Sequence, residues 1–161
     1  MVSGCKKKVL VAGATGYIGK AVIAELLDRD YIVFAIVRKE SQLEYSDQSN
    51  LNVISLEIGE NSDWTKQLPK IDIIISCLAS RSGCERDTNF VDYSLNSDLL
   101  YFALKIKLQH FILLSAICIQ KPKLAFQRAK LRFNSKLVAS GLRYSIVLPT
   151  AFFKSLSGQV N

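Results

Sequence analysis

No acidic residue follows Asp98. Residues 99–161 carry ten Lys and Arg and no Asp or Glu, a net of +10; residues 1–98 carry 11 Lys and Arg against 14 Asp and Glu, a net of −3. So basic a half is open to nucleic acid, an anionic membrane face, acidic small molecules or an acidic segment of a longer chain. Histidine is almost missing: His110 stands alone, just ahead of an apolar run, and reads as a strand-edge residue. The four cysteines, Cys5, Cys77, Cys84 and Cys118, form no Cys-x-x-Cys pair and no familiar zinc spacing with it. That argues against a zinc module and leaves reduced structural thiols, with no metal site expected. No apolar run is long enough to cross a bilayer. Lys6-Lys7-Lys8 before Val9–Ala12 imitates a secretory signal, but glycines interrupt the apolar run and Lys20 and Glu25 follow it, so a buried strand explains it better. No Arg- and Ser-rich transit segment, internal repeat, linker or low-complexity stretch is present. The expected setting is the cytoplasm, or a plastid if a leader belongs ahead of this chain.

What is present is a globular composition. At 49% hydrophobic over 161 residues, the chain should fold as one domain, 1–161, with a real core. Its organising stretch is Val9-Leu-Val-Ala-Gly-Ala-Thr-Gly-Tyr-Ile-Gly19. Val9–Ala12 reads as a buried strand. Gly13, Gly16 and Gly19 follow, and then Ile18, Val22, Ile23, Leu26 and Leu27 recur at helical spacing. Strand, glycine turn and helix is the phosphate-binding start of a dinucleotide fold, in which helix-start amides face the pyrophosphate. The spacing is Gly-x-x-Gly-x-x-Gly, not the Gly-x-Gly-x-x-Gly of the dehydrogenase fingerprint. Gly13, Thr15, Gly16, Tyr17, Ile18 and Gly19 are the candidate cofactor contacts of this turn.

The rest of the chain alternates strand and helix. Strands are expected at Tyr31–Val37, Asn52–Ile58, Ile71–Cys77, Phe111–Leu114 and Tyr144–Leu148. A short helix near Trp64, a helix over Thr88–Lys107 and one from Lys121-Pro122 to about Ser140, with Gly141 as its cap, complete the pattern. Six strands so connected predict an α/β fold, a doubly wound parallel sheet of Rossmann type. Arg38 follows the second strand, where NAD-preferring folds place an acid on the ribose. A base there suits the 2′-phosphate of NADP; the bland alternative is an exposed loop arginine. Ala79 and Ser115 lie just beyond the fourth and fifth strands, at the carboxyl edge where ligands bind. Lys130 falls with Phe126, Phe133 and Leu137 on one helix face. A lysine there either snorkels to the surface or brings its ammonium to a cofactor.

Gly-Ala-Thr-Gly-Tyr-Ile-Gly resembles the short-chain dehydrogenase/reductase superfamily in its extended or atypical branches. That superfamily's Tyr-x-x-x-Lys motif reads here Phe126-Gln-Arg-Ala-Lys130: the lysine is kept and the tyrosine is not. Four segments narrow the likeness: Ile74–Arg81, His110–Pro122, Phe126–Lys130 and Tyr144–Leu156. From Lys8 to Val160 the chain resembles the divinyl chlorophyllide 8-vinyl-reductase family, NADPH-dependent atypical members similar to isoflavone-reductase-like and NmrA-like proteins. The resemblance implies reduction of the 8-vinyl group of a divinyl chlorophyllide to ethyl, with NADPH as cofactor and Lys130 on the nicotinamide ribose. Phenylalanine has no proton to give, but adding a hydride and a proton to a C=C bond needs no donor aimed at a carbonyl oxygen. The resemblance further implies that family members run on past Asn161 and that this chain is their cofactor-binding part. One departure is Leu148, where the family has arginine, expected to weaken a contact near the nicotinamide. The alternative is a non-catalytic NADP-binding module or redox-sensing regulator of the NmrA-like type. A chlorophyllide carries a carboxylate and works near membranes, so the basic half suits it and a position peripheral to a photosynthetic membrane. Nucleic acid is not an expected partner, since no recognised motif or aromatic–basic sheet face is present. The sequence sets no oligomeric state.

Overall fold

The computed structural model describes residues 6–38, 48–55, 66 and 68–150. Six strands form one sheet: β1 Lys8–Ala12, β2 Ile32–Val37, β3 Leu51–Ser55, β4 Ile73–Ser76, β5 His110–Leu114 and β6 Tyr144–Val147. Their order is β3-β2-β1-β4-β5-β6, and every neighbouring pair is parallel. This is the 3-2-1-4-5-6 order of a doubly wound sheet, with its reversal between β1 and β4. The helices are α1 Tyr17–Asp28, α2 Glu85–Thr88, α3 Leu95–Lys105 and α4 Ala125–Val138.

Val9–Ala12 of β1 are fully buried because both faces of the strand are covered. Leu10 and Ala12 join Phe34, Ile74 and Phe111 in a core closed by Leu99 of α3 and Phe133 and Leu137 of α4. Val9 and Val11 point the other way, packing with Val33, Ala35 and Ile23 of α1. The period-two alternation of a strand thus divides one apolar run between two layers. Phe133 is 1% exposed, and its ring lies 6.1 Å from that of Phe111 on β5. Phe133→Ala is expected to destabilise the fold by about 3–5 kcal/mol, read by urea denaturation; a loss under about 1 kcal/mol would contradict this packing.

Two helices start elsewhere than expected, and the strand ends shift by one or two residues. The helix expected at Thr88–Lys107 begins at Glu85, and α2 passes into α3 through a π-helical stretch, Asn89–Ser94. The widened turns remain satisfied, because the Asn96 amide donates to Asp92 O at 3.1 Å and Val91 O at 3.4 Å, and Ser94 Oγ donates to Asn89 O. The helix expected from Pro122 begins at Ala125. Gln127 Oε1 accepts the N–H groups of Lys123 at 2.8 Å and Leu124 at 3.0 Å, which caps the helix behind the proline. At the other end the cap is Ala139, and Gly141, at φ +75°, turns the chain toward β6 two residues later. Residues 40–47 of the polar, loop-like stretch expected over 40–50, Trp64 with its short helix, the third strand beyond Ser55 and the tail from Ala151 lie outside the described residues.

Candidate functional site

The turn after β1 is built by glycine for reasons internal to the protein. Gly13 has φ +78°, and a Cβ there would lie 2.6 Å from the Cys77 carbonyl oxygen. A Cβ on Gly19 would lie 2.1 Å from Gly13 O, so the first turn of α1 rests directly on the loop. Gly16 is looser, with Gly13 O at 3.2 Å. Of the three, Gly13 and Gly19 are required by backbone packing, and Gly16 less strictly so. Gly16 is the N-cap of α1, without a side-chain cap and with no acid in the first turn. The N–H groups of Tyr17, Ile18 and Gly19 therefore begin a helix that nothing in its own sequence neutralises, which is the arrangement that takes an anion. Thr15 is half-buried beside them, and Tyr17 is 58% exposed.

Across the sheet reversal, Lys130 comes from α4 to the carboxyl ends of β4 and β5. It is 7% exposed, so it does not snorkel. Its Nζ stands 3.0 Å from Asp92 Oδ1 and donates to Leu78 O at 3.2 Å and Leu114 O at 3.4 Å. Asp92 lies in the π-helical stretch and is 1% exposed. Its Oδ2 accepts the Ser80 N–H at 3.3 Å. Among the described residues its Oδ1 has no aligned hydrogen-bond donor, and it meets the ammonium at ion-pair distance. Two charges too costly to bury singly are thus buried together, at the edge where the strands deliver ligands. Asp92 was not among the residues singled out in the sequence. Thr88, Asp92 and Asn96 recur at spacing four, but the π-helical stretch breaks the period that would carry that face on to Leu99, Leu100 and Ala103. A lone acid on one apolar face and a lone lysine on another are natural partners.

The loop after β4 hangs on the same helix. Asp87 Oδ2 accepts the Ser80 hydroxyl, the Ser82 hydroxyl at 2.8 Å and the Ser82 N–H at 3.3 Å. These bonds, the Ser80 hydroxyl first, hold the Asp87 carboxyl below its ordinary value. A depressed carboxyl contributes stability at every pH above its unfolded value and loses it as pH falls through the lowered one. The Ser82 amide resonance should stay flat from neutral pH down through about pH 5 and move only below the usual aspartate range. Movement above that range would contradict the latch.

Ala79 is exposed at the head of this loop. Ser115 is 4% exposed just past β5, its hydroxyl donating to Asn134 Oδ1 at 3.1 Å. Gly13, Cys77, Ala79, Ser115 and Lys130 are therefore all positioned by the carboxyl ends of β1, β4 and β5. Burial pushes the Cys77 thiol up to about 11, against a smaller opposing effect of Lys130, so it is a protonated packing group at neutral pH. Arg38 is exposed directly after β2, beside β1 in the sheet. Leu148 follows β6 and is 43% exposed. His110 opens β5 at the opposite end, with Nε2 2.9 Å from Ser145 Oγ, away from this edge.

A family of NAD(P)H-binding domains matches residues 13–160, from the first glycine of the turn to beyond β6. The chain belongs to the NAD(P)H-binding family. Its glycine cradle, with uncapped helix amides and no room for a Cβ at two positions, fits the nicotinamide dinucleotide that defines that family. Among curated proteins, the chain is 42% identical over 175 residues to the chloroplastic divinyl chlorophyllide a 8-vinyl-reductase of Cucumis sativus, covering 94% of this chain and 40% of that protein. It is 42% identical over 176 residues to the Arabidopsis thaliana protein of the same name, covering 94% and 41%. The chain thus spans about two fifths of the length of these relatives. Among solved structures, the Bordetella bronchiseptica enzyme WbmH in complex with NAD+ superposes with a TM-score of 0.77 at 17% identity, covering 89% of this chain and 56% of that one. At that identity the likeness shows the fold alone.

Proposed function

We propose that the chain, taken as one domain over 1–161, is the cofactor-binding part of an NADPH-dependent reductase that converts the 8-vinyl group of a divinyl chlorophyllide, or a related divinyl tetrapyrrole, to ethyl. The observation that carries this reading is the 42% identity over 94% of the chain to proteins named for that reaction. The fold and site chemistry agree with it. The amides of Tyr17, Ile18 and Gly19 bind the pyrophosphate, with Gly13, Thr15 and Gly16 forming the turn beneath it. Arg38 takes the 2′-phosphate. Ala79 and Ser115 wall the cofactor at the ends of β4 and β5. Lys130, held against Asp92, bonds the nicotinamide ribose by exchanging a carbonyl contact, of which that to Leu114 O is the longer at 3.4 Å. The bound nicotinamide supplies the hydride. A proton must complete the addition across the C=C bond, and the Lys130 ammonium is the group of this chain that would pass one toward it. Phe126, half-buried one turn before Lys130, offers no acid, and this reaction asks for none at a carbonyl oxygen.

The chloroplastic relatives support a plastid setting. Among the described residues no helix is long and apolar enough to cross a membrane. The basic second half suits a peripheral position on an anionic photosynthetic membrane.

Incubating the protein, at the length its cells make it, with NADPH and divinyl chlorophyllide should yield the monovinyl pigment on chromatography. Saturable NADPH binding without conversion would overturn the reductase reading in favour of a non-catalytic cofactor-binding module. Arg38→Asp should weaken NADPH binding by about tenfold or more, through loss of a charge-assisted contact, and leave NADH binding nearly unchanged. Equal effects on the two cofactors would refute the assignment of the 2′-phosphate.

A further inference from the structure

Between the end of β5 and the start of α4 the chain makes a short, well-anchored detour. Residues 117–120 form a turn in which Cys118, not a glycine, takes φ +62°, a strained conformation that neighbouring structure must hold. Ile117 N–H bonds Pro149 O at 3.1 Å, and Lys121 N–H bonds Cys118 O at 3.4 Å. On the helix side, Gln127 caps Lys123 and Leu124, and Arg128 donates to Lys123 O at 3.1 Å. The segment is pinned at both ends, and an open groove of about 610 Å³ lies against it, lined by Cys118, Gln120, Lys121, Lys123, Leu124 and Gln127. Leu124 is 55% exposed on its wall and Ile117, close by in the turn, is 46% exposed. Lys121 and Lys123 are exposed and have no carboxylate partner among the described residues. Their own half of the chain, 99–161, contains no acid to supply one.

The groove belongs to the same carboxyl edge as the cofactor site. It follows the end of β5, and Gln127 precedes Lys130 by one turn of α4. A groove with the exposed Leu124 on its wall and two ammonium groups that meet no carboxylate among the described residues is complementary to an apolar molecule that carries a carboxylate. We infer that this groove receives the carboxylate-bearing edge of the substrate, with Lys121 and Lys123 engaging the carboxylate and Leu124 lying against the ring. The inference rests on the reductase reading for the identity of the substrate. A tetrapyrrole acid and its methyl ester share the apolar face, and only the acid carries the charge.

The test is a fluorescence titration of the protein at its natural length with divinyl chlorophyllide and, separately, with its methyl ester, at low ionic strength. The wild type should bind the acid more tightly. K121Q/K123Q should weaken acid binding by about five- to tenfold, leave ester binding unchanged and so erase the preference. K105Q/K107Q, which removes an equal charge outside the groove, should keep the preference. The difference between acid and ester should shrink as salt is added. Equal binding of acid and ester by the wild type, a preference that survives in K121Q/K123Q, an equal loss in K105Q/K107Q, or no binding of either pigment would each overturn the inference. Pigment binding of the expected pattern without NADPH-dependent turnover would overturn the reductase reading and leave this site standing.

Discussion

Asp92→Ala should destabilise the fold by about 3–5 kcal/mol, because it leaves the buried Lys130 ammonium without its counter-charge. Domains of this size are stable by only about 5–15 kcal/mol, so the change removes at least about a fifth of the total. The 3.0 Å ion pair, with Asp92 1% and Lys130 7% exposed, is the ground for expecting so large an effect. The two carbonyls of Leu78 and Leu114 would remain as acceptors, but they carry no compensating charge. The double variant Asp92→Leu with Lys130→Met separates the pair's contribution to stability from its role in binding. Removing both charges should recover most of the lost stability, since a buried pair is often no better than apolar groups of like volume. It should not recover NADPH affinity, because the ribose contact proposed for Lys130 would be gone. Urea denaturation of each variant, with an NADPH titration beside it, reads both quantities. An Asp92→Ala protein within about 1 kcal/mol of wild type would contradict the buried pair.

Gly19→Ala should abolish measurable NADPH binding and destabilise the fold by more than about 3 kcal/mol, beyond ordinary overpacking. Its added Cβ would sit 2.1 Å from Gly13 O, 2.9 Å from Gly13 C and 3.0 Å from Ala14 Cα, all backbone atoms that cannot swing aside. Gly13→Ala should be nearly as severe, from a Cβ 2.6 Å from Cys77 O combined with a left-handed φ. Gly16→Ala is the informative contrast. Its nearest neighbour is Gly13 O at 3.2 Å and its φ is −74°, so the fold should tolerate it with a loss under about 1 kcal/mol. Any larger loss of NADPH affinity then reports the approach of the cofactor itself. Urea midpoints and NADPH titrations of the three variants should therefore rank differently. A Gly16→Ala protein as unstable as Gly19→Ala would show that this packing is misjudged.

The parts of the site legible in the sequence are those encoded locally. β1, its glycine turn and α1 occupy consecutive residues, and each residue type there has one physical reason. The alternating strands and helices gave the parallel sheet for the same reason. Lys130 stood out because a charge on an apolar helix face needs an explanation. Its partner did not, because Asp92 is 38 residues away and lies where the helix leaves its ordinary period. A π-helical stretch shifts the phase of every residue after it, so a face drawn at 3.6 residues per turn loses its register across Asn89–Ser94. The start of α4 was misplaced for a different cause. Pro122 is compatible with a first helical turn, but the Gln127 carboxamide already satisfies the amides of Lys123 and Leu124 in an extended approach. One long side chain decided a boundary that backbone preference left open.

The central claim is that this carboxyl edge directs a hydride from NADPH to a vinyl group. The most direct measurement is turnover of divinyl chlorophyllide by the protein at its natural length with NADPH deuterated at the transferring position of the nicotinamide, followed by mass spectrometry of the product. The expected result is a monovinyl pigment with one deuterium in its 8-ethyl group, and a strongly reduced yield of it from Lys130→Met. An 8-ethyl product without deuterium, or a vinyl group left intact while NADPH binds, would contradict the account.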